Sequence, residues 1–260
     1  MAHVHHAGPA TSAEPDTVRM EPRRKETDVE TDLARRTFLG AAGAAVAAGL
    51  VAAPASAQEA AGKGLKIVGI ATSPRKGKTT AAAVQACLDA AKEAAPGIEI
   101  ELIELAGMSI PAEVAAGIPL EAGQKDDFPA VAAKLNDPKV AGIIIGSPVY
   151  FNNMSGLCKA FIDRCTALRK NFALGGKVAG VVAVGGARNG GQELTIQSIQ
   201  AALLSHEVLV AGTSRPTGRM GAALWNQGDD ITKDDFGLAC AKDLGRHVAQ
   251  TALRLGGGAK

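Results

Sequence analysis

The sequence predicts one α/β domain built on a doubly wound parallel sheet of five strands, and three observations carry that reading. Apolar runs of strand length recur between Leu65 and Gly212, and stretches with apolar residues three and four apart lie between them. Hydrophobic residues make up 47% of the 260 positions and charged ones 21%, so a real core is available and global disorder is excluded. Glycine, at 31 residues, favours short and tight strand-to-helix connections.

Taken in order, Leu65–Ala71 (LKIVGIA) is a fully buried strand candidate. Thr79–Ala95 follows as an amphipathic helix, with Ala81, Val84, Leu88, Ala91 and Ala95 on one stripe. Ile98–Leu105 (IEIELIEL) alternates with period two, as a half-exposed strand does. Val140–Gly146 is apolar throughout, the pattern of a central parallel strand covered on both faces. A helix from Ser155 to Arg169 carries Leu157, Phe161, Cys165 and Leu168 on one stripe, with Ser155 as its N-cap. Lys177–Val184 is the fourth strand, Glu193–Leu204 a helix, Val208–Gly212 the fifth strand and Asp234–Leu255 the closing helix. Residues 106–127, rich in Gly, Pro and Ala, exceed an ordinary connection and predict a surface excursion over the site.

The first 57 residues differ from the rest. Met1–Asp32 is polar and aperiodic and reads as a disordered leader. Arg35-Arg36-Thr37-Phe38-Leu39 then precedes an apolar Gly/Ala run over residues 40–53 and the small-residue cleavage pattern Pro54-Ala55-Ser56-Ala57. The adjacent arginines resemble a twin-arginine signal, although Ala34 stands where that signal commonly has Ser. The reading is export through the twin-arginine machinery to the periplasm or the extracellular space, with the domain spanning residues 58–260. An uncleaved signal would leave the protein tethered to a membrane. The apolar run is shorter than the ~20 residues a spanning helix needs.

Composition also excludes functions. Aromatic residues are 3% and the net charge is +2, with Lys and Arg scattered, which argues against nucleic acid as a partner. Four cysteines without short paired spacing give neither a disulfide framework nor a Cys₄ zinc site. Cys158 and Cys165 are seven apart on one helix, roughly 10 Å by rise, too far for a bridge. His206 and His247 fall in helical stretches as structural residues, and His3, His5 and His6 are too few and too near the terminus to establish a metal site.

Ligands of open parallel sheets bind beyond the carboxyl ends of the strands, and three loops there are unusual. The first, Thr72-Ser73-Pro74-Arg75-Lys76-Gly77-Lys78-Thr79-Thr80, combines hydroxyls, the cations Arg75, Lys76 and Lys78, a glycine and a helix start, the parts of a phosphate cradle. It is not a P-loop, because Thr72 stands where the first glycine would be. Neither Gly146-Ser147-Pro148 nor Gly185-Gly186 supplies the carboxylate that would organise Mg²⁺, which ranks a nucleotide hydrolase last. The second loop, Gly146 to Ser155, holds Pro148, Val149, Tyr150, Phe151, Asn152 and Asn153. If it is extended, one ring faces a planar ligand, the other packs inward, and the two amides serve the ligand's edge. The third, Gly185-Gly186-Ala187-Arg188-Asn189-Gly190-Gly191-Gln192-Glu193, lets the backbone approach a flat ring closely.

One phosphate, one planar ring and one glycine-lined edge together describe FMN. The segments S-P-R-K-G-K-T-T, G-S-P-V-Y-F-N-N-M-S-G-x-x-K-x-F-x-D-R and G-G-x-x-x-G-G-Q-E, in this order, resemble the NADPH-dependent FMN reductase and iron-sulfur flavoprotein branch of the flavodoxin-like superfamily. The resemblance implies a three-layer α/β/α domain of strand order 2-1-3-4-5 and phosphate contacts at Ser73, Arg75, Thr79 and Thr80. It places the ring against Pro148–Asn153 and Gly185–Gly186, and implies a homodimer or homotetramer. The iron-sulfur members carry a cysteine cluster in the excursion after the second strand. Residues 106–127 hold no cysteine, so no iron-sulfur cluster is expected.

The activity implied is that of an FMN-dependent oxidoreductase with NAD(P)H as donor and a quinone, flavin or other small molecule as acceptor. No side chain is then needed as the chemical catalyst. The alternative is an exported flavodoxin-type electron carrier, whose usual strongly acidic surface this slightly basic domain lacks. Arg215, Arg219 and Trp225 are candidates for the second substrate's side, in the segment after the fifth strand.

Overall fold

The computed structural model describes residues 64–256. The leader, the twin-arginine motif and the boundary at residue 58 lie outside the described residues. No described helix is long and apolar enough to cross a membrane.

Four strand segments make the body of the sheet: β1 (Lys66–Ala71), β2 (Glu99–Glu104), β3 (Val140–Tyr150) and β5 (Val178–Gly185). All pair in parallel, in the order β2-β1-β3-β5. The fifth position is shared. β6 (Leu209–Val210) pairs with the start of β5, and β7 (Ala222–Trp225) with its end, Trp225 opposite Gly185. The predicted 2-1-3-4-5 order is therefore present, with the last strand interrupted by residues 211–221.

Each buried strand faces two ways because successive side chains alternate. Ile67, Ile144 and Val182 enter one core with Val84 and Leu88 of α1 (Thr79–Lys92) and Leu244 and Val248 of the last helix, α6 (Asp235–Arg254). Val68, Ile143, Ile145 and Val181 enter the other. There they meet Phe128 of α2 (Phe128–Leu135), Phe161 of α3 (Gly156–Arg164) and Ile196 of α5 (Gln192–Leu204). Continuous apolar strands and two covered faces are thus one fact. The helices α1 and α6 press together so closely that a Cβ on Gly245 would run into the Cys87 carbonyl.

Several expectations are refined. β3 continues past Gly146 to Tyr150 and folds back on the two-residue strand β4 (Asn153–Met154). The helix expected from Ser155 to Arg169 breaks at Cys165, whose N–H is shared between the carbonyls of Phe161 and Ile162 at 3.1 Å each, and resumes as α4 (Thr166–Arg169). His206 lies in the turn after α5 rather than in it. The excursion holds a 3₁₀ turn, Ala112–Ala116, and leads into α2. Arg164 of α3 fastens it: its guanidinium donates to the Pro111 carbonyl at 3.0 Å and pairs with Asp126 at 2.7 Å, both side chains largely withdrawn from water.

Candidate functional site

Parallel register brings the carboxyl ends of β1, β3, β5 and β7 to one edge of the sheet, and the three loops emerge there. A buried hydroxyl network ties the first two together. Thr72 Oγ1 donates to the Gly146 carbonyl at 2.8 Å, and Ser155 Oγ donates to the Thr72 carbonyl at 2.8 Å. Ser147 Oγ accepts the Ser155 N–H at 3.0 Å and donates to the Pro148 carbonyl at 2.8 Å. Ser155 also caps α3 as predicted, accepting from the Cys158 N–H at 3.0 Å. With every member partnered, such a network fixes one loop against the other.

In the first loop Ser73 is buried and its Oγ accepts the Arg75 N–H at 3.1 Å, while Arg75, Lys76 and Lys78 stand exposed. Helix α1 starts at Thr79 with no side-chain cap, which leaves first-turn N–H groups for an anion. Thr79 and Thr80 are buried there, with the Thr80 methyl lying beside Gly146. Two carboxylates from elsewhere hold this loop. Glu104 at the end of β2 accepts the Gly77 N–H at 2.7 Å, and Asp229, between β7 and α6, takes Arg75 at 2.6 Å and Lys78 at 3.5 Å. The Arg75 hydrogen bond keeps the Asp229 carboxyl below its ordinary range.

The second loop is not extended. Tyr150-Phe151-Asn152-Asn153 is a tight hairpin turn with positive φ at Phe151 (51°) and Asn152 (62°), a primed turn whose twist suits the two paired strands. Reversing at this point leaves both rings outward: Tyr150 is 45% exposed and Phe151 fully so, and neither packs inward. The Asn153 amide oxygen accepts the Met154 N–H at 2.8 Å. Asn152 instead lies against Gly191, where any Cβ would collide with it, and Gly191 itself sits at φ 96°. Gly191 is thus where the second and third loops touch.

In the third loop Gly185 closes β5, and nothing crowds the Cβ direction of Gly186. Gln192 shapes this loop and was not singled out from sequence. Almost fully buried, it donates to the Ala187 carbonyl at 2.7 Å and accepts the Gly190 N–H at 2.7 Å. Arg188 lies over the Trp225 ring, 5.1 Å from its centroid, and pairs with buried Asp234 at 3.2 Å. Trp225 Nε1–H donates to the Gly186 carbonyl at 3.2 Å. Beside it Asn226 donates its N–H to the Gly185 carbonyl, and its Oδ1 is buried with no partner. The G-G-x-x-x-G-G-Q-E motif contains Gln192; nothing local marks Asn226 or Asp229.

An uncapped helix start among cations, two outward rings and an open glycine edge beside an unpartnered acceptor fit FMN at one end of the sheet. The sequence matches the model of the NADPH-dependent FMN reductase family over residues 65–217. The chain belongs to that family. It is 39% identical over 190 residues to an iron-sulfur flavoprotein of Methanocaldococcus jannaschii, covering 72% of this chain and 96% of that protein. It is 30% identical to an NAD(P)H dehydrogenase (quinone) of Chromohalobacter salexigens, covering 62% and 85%. The apo form of an NADH:FMN oxidoreductase (EMOB) shares the fold at 21% identity, with a TM-score of 0.53 over 72% of this chain and 89% of that one. Membership makes this chain an FMN-dependent NAD(P)H oxidoreductase, on the flavodoxin-like architecture its motifs resemble.

Proposed function

We propose that the chain passes electrons from NAD(P)H through one FMN to a small acceptor, a quinone or a free flavin, as a homodimer or homotetramer. The observation that carries the reading is the convergence of the three loops at one sheet edge, the first two stapled by Thr72, Ser147 and Ser155 and the third meeting the second where Gly191 lies against Asn152. The bound flavin supplies the redox chemistry, accepting two electrons with a proton from the donor and giving them up to the acceptor.

The protein's part is to hold and to shape. Ser73, Arg75, Lys78 and the α1 amides would take the phosphate, with Thr79 and Thr80 buried behind them. The outward rings of Tyr150 and Phe151, with Pro148 and Val149 at their base, offer an apolar surface to a planar ring. Gly186, open in its Cβ direction, gives the ring edge close access to main-chain groups, with Gly185 packed behind it against Gln192, and Asn226 Oδ1 would accept from a ring N–H.

The flavin works without a cluster in this reading. One relative is named an iron-sulfur flavoprotein. Here the four cysteines are buried on or beside α1, α3 and α6, and none lies in the excursion that carries the cluster in that branch. In this reading the twin-arginine-like leader would send the protein outside the cytoplasm, where the donor must be supplied.

The test is direct. The purified chain is loaded with FMN and mixed with NADH or NADPH and a benzoquinone. Flavin absorbance bleached by the nucleotide and restored by the quinone is expected. A chain that takes up no FMN, or holds it unreduced by either nucleotide, overturns the reading.

A further inference from the structure

The interrupted fifth strand leaves a cleft of about 530 Å³ at the edge of the sheet, separate from the phosphate cradle of the first loop. It is bounded by the third loop and α5 on one side, β7 and the start of α6 on the other, and residues 218–221 of the interruption. Its volume falls in the range of small-ligand sites. Its walls are not loose. Thr213 brackets Arg219, donating its N–H to the Arg219 carbonyl at 2.7 Å and accepting the Arg219 N–H on Oγ1 at 2.6 Å. Thr217 Oγ1 donates to Asp243 of α6 at 2.9 Å, and His247 Nδ1 lies 2.9 Å from the Gly212 carbonyl, so α6 holds the interruption in place.

The chemistry of these walls is specific. Two guanidinium groups lie over aromatic rings, Arg188 over Trp225 at 5.1 Å and Arg219 over Phe236 at 5.4 Å. Asp234, which faces the same space, is already matched by the Trp225 N–H at 2.7 Å, the Gly237 N–H at 3.1 Å and Arg188 at 3.2 Å. Arg219 has no carboxylate partner among the described residues, and Glu193 is the other carboxylate on the lining. Planar guanidinium forks beside apolar ring faces suit a ligand that joins a flat heterocycle to a phosphate. A neutral quinone would leave Arg219 without an anionic partner.

We propose that this cleft seats the adenosine phosphate end of the pyridine dinucleotide, with Trp225 and Phe236 against the purine and Arg219 and Arg188 on its phosphate. The inference rests on the donor assigned under the proposed function. Trp225 links the two ends of the molecule's path, since its indole donates to the carbonyl of Gly186 on the flavin's edge. The donor thus enters across the third loop.

Trp225 is the chain's only tryptophan, so its fluorescence comes from the wall shared by this cleft and the Gly186 edge, and in the FMN-free chain it reports the probe. The full chain is titrated with 2′,5′-ADP and with 5′-AMP, which carry no nicotinamide, before and after loading with FMN. A saturable change is expected, tighter for 2′,5′-ADP, and Arg219→Ala should weaken it about tenfold without altering FMN binding. Silence of Trp225 up to millimolar probe, while NAD(P)H still reduces bound FMN, overturns the inference and leaves the reductase reading intact. Probe binding without reduction by either nucleotide supports the cleft and overturns the reductase reading. A signal that follows protein concentration rather than probe means a second copy fills the cleft, and the inference falls.

Discussion

Arg75 and Asp229 stand 154 positions apart in sequence and 2.6 Å apart in space, joining the phosphate loop after β1 to the loop before α6. The same carboxylate reaches Lys78 at 3.5 Å. An arriving phosphate therefore competes with a resident anion for both cations. Because the pair is open to water its strength is modest and screened by salt. Asp229→Asn is expected to tighten FMN by about two- to fivefold at low ionic strength. Riboflavin, lacking the phosphate, should bind the variant and the parent alike. Flavin fluorescence titrations with both ligands at two salt concentrations check this. An equal gain for riboflavin would show that the effect is not electrostatic.

The partly buried pair of Arg164 and Asp126 makes a prediction about acid. Hydrogen bonding from Arg164 holds the Asp126 carboxyl below its ordinary 3.8. A carboxyl depressed in the folded state adds stability that is complete above the unfolded value and is lost as pH falls through the folded one. Asp126→Asn should therefore cost about 1–3 kcal/mol at neutral pH, with buried Arg164 left without its charged partner. The gap between parent and variant should shrink as pH drops below 3.8. Urea melts at neutral pH and at successive acid pH values measure it; a gap that widened in acid would contradict the assignment.

These two pairs show where sequence legibility ended. Strands β1, β3 and β5 are readable because burial on both faces forces continuous apolar runs, and the first loop because its hydroxyls and cations are contiguous. The hairpin at Tyr150–Asn153 was hidden, since Pro148 reads as a strand end and Phe-Asn lacks the Asn-Gly signature of such a turn. β7 was missed because four residues, Ala222–Trp225, carry too short a pattern to register, although they complete the strand begun by Leu209–Val210. Helix α2, eight residues long and opening on Phe128-Pro129, was absorbed into the region after the excursion. Asp229 and Asn226 act through partners that the sheet order brings to them, which no local spacing encodes.

The four thiols should be silent in the native protein. Burial pushes Cys158 up to about 11 and Cys165 to about 12, and it also raises Cys87 and Cys240. The thiolate is the reactive form, so at pH 8 a disulfide reagent should find no fast-reacting group. All four should appear on unfolding in guanidinium. Cys240 lines the cleft beside Phe236, so any slow native reaction should begin there and be retarded by 2′,5′-ADP. A stoichiometric burst from the folded chain would mean that a thiol is exposed and activated.

Phe151 carries a conformational cost that its exposure does not explain. A bulky residue at φ 51° is strained by about 1–3 kcal/mol, and this one is fully exposed and so gains nothing from burial in return. Glycine fits the same turn without strain. Phe151→Gly should therefore leave the thermal midpoint unchanged or raise it, where loss of an apolar side chain ordinarily lowers it. If the ring is kept for the flavin, the same variant should bind FMN and riboflavin more weakly by a similar factor, because both present the same tricyclic surface. Asp229→Asn separates the two ligands and Phe151→Gly does not, so the pair of variants divides phosphate recognition from ring recognition. A Phe151→Gly protein with undiminished affinity for both flavins would free the ring from that role and leave the strain at the turn without a function at this site.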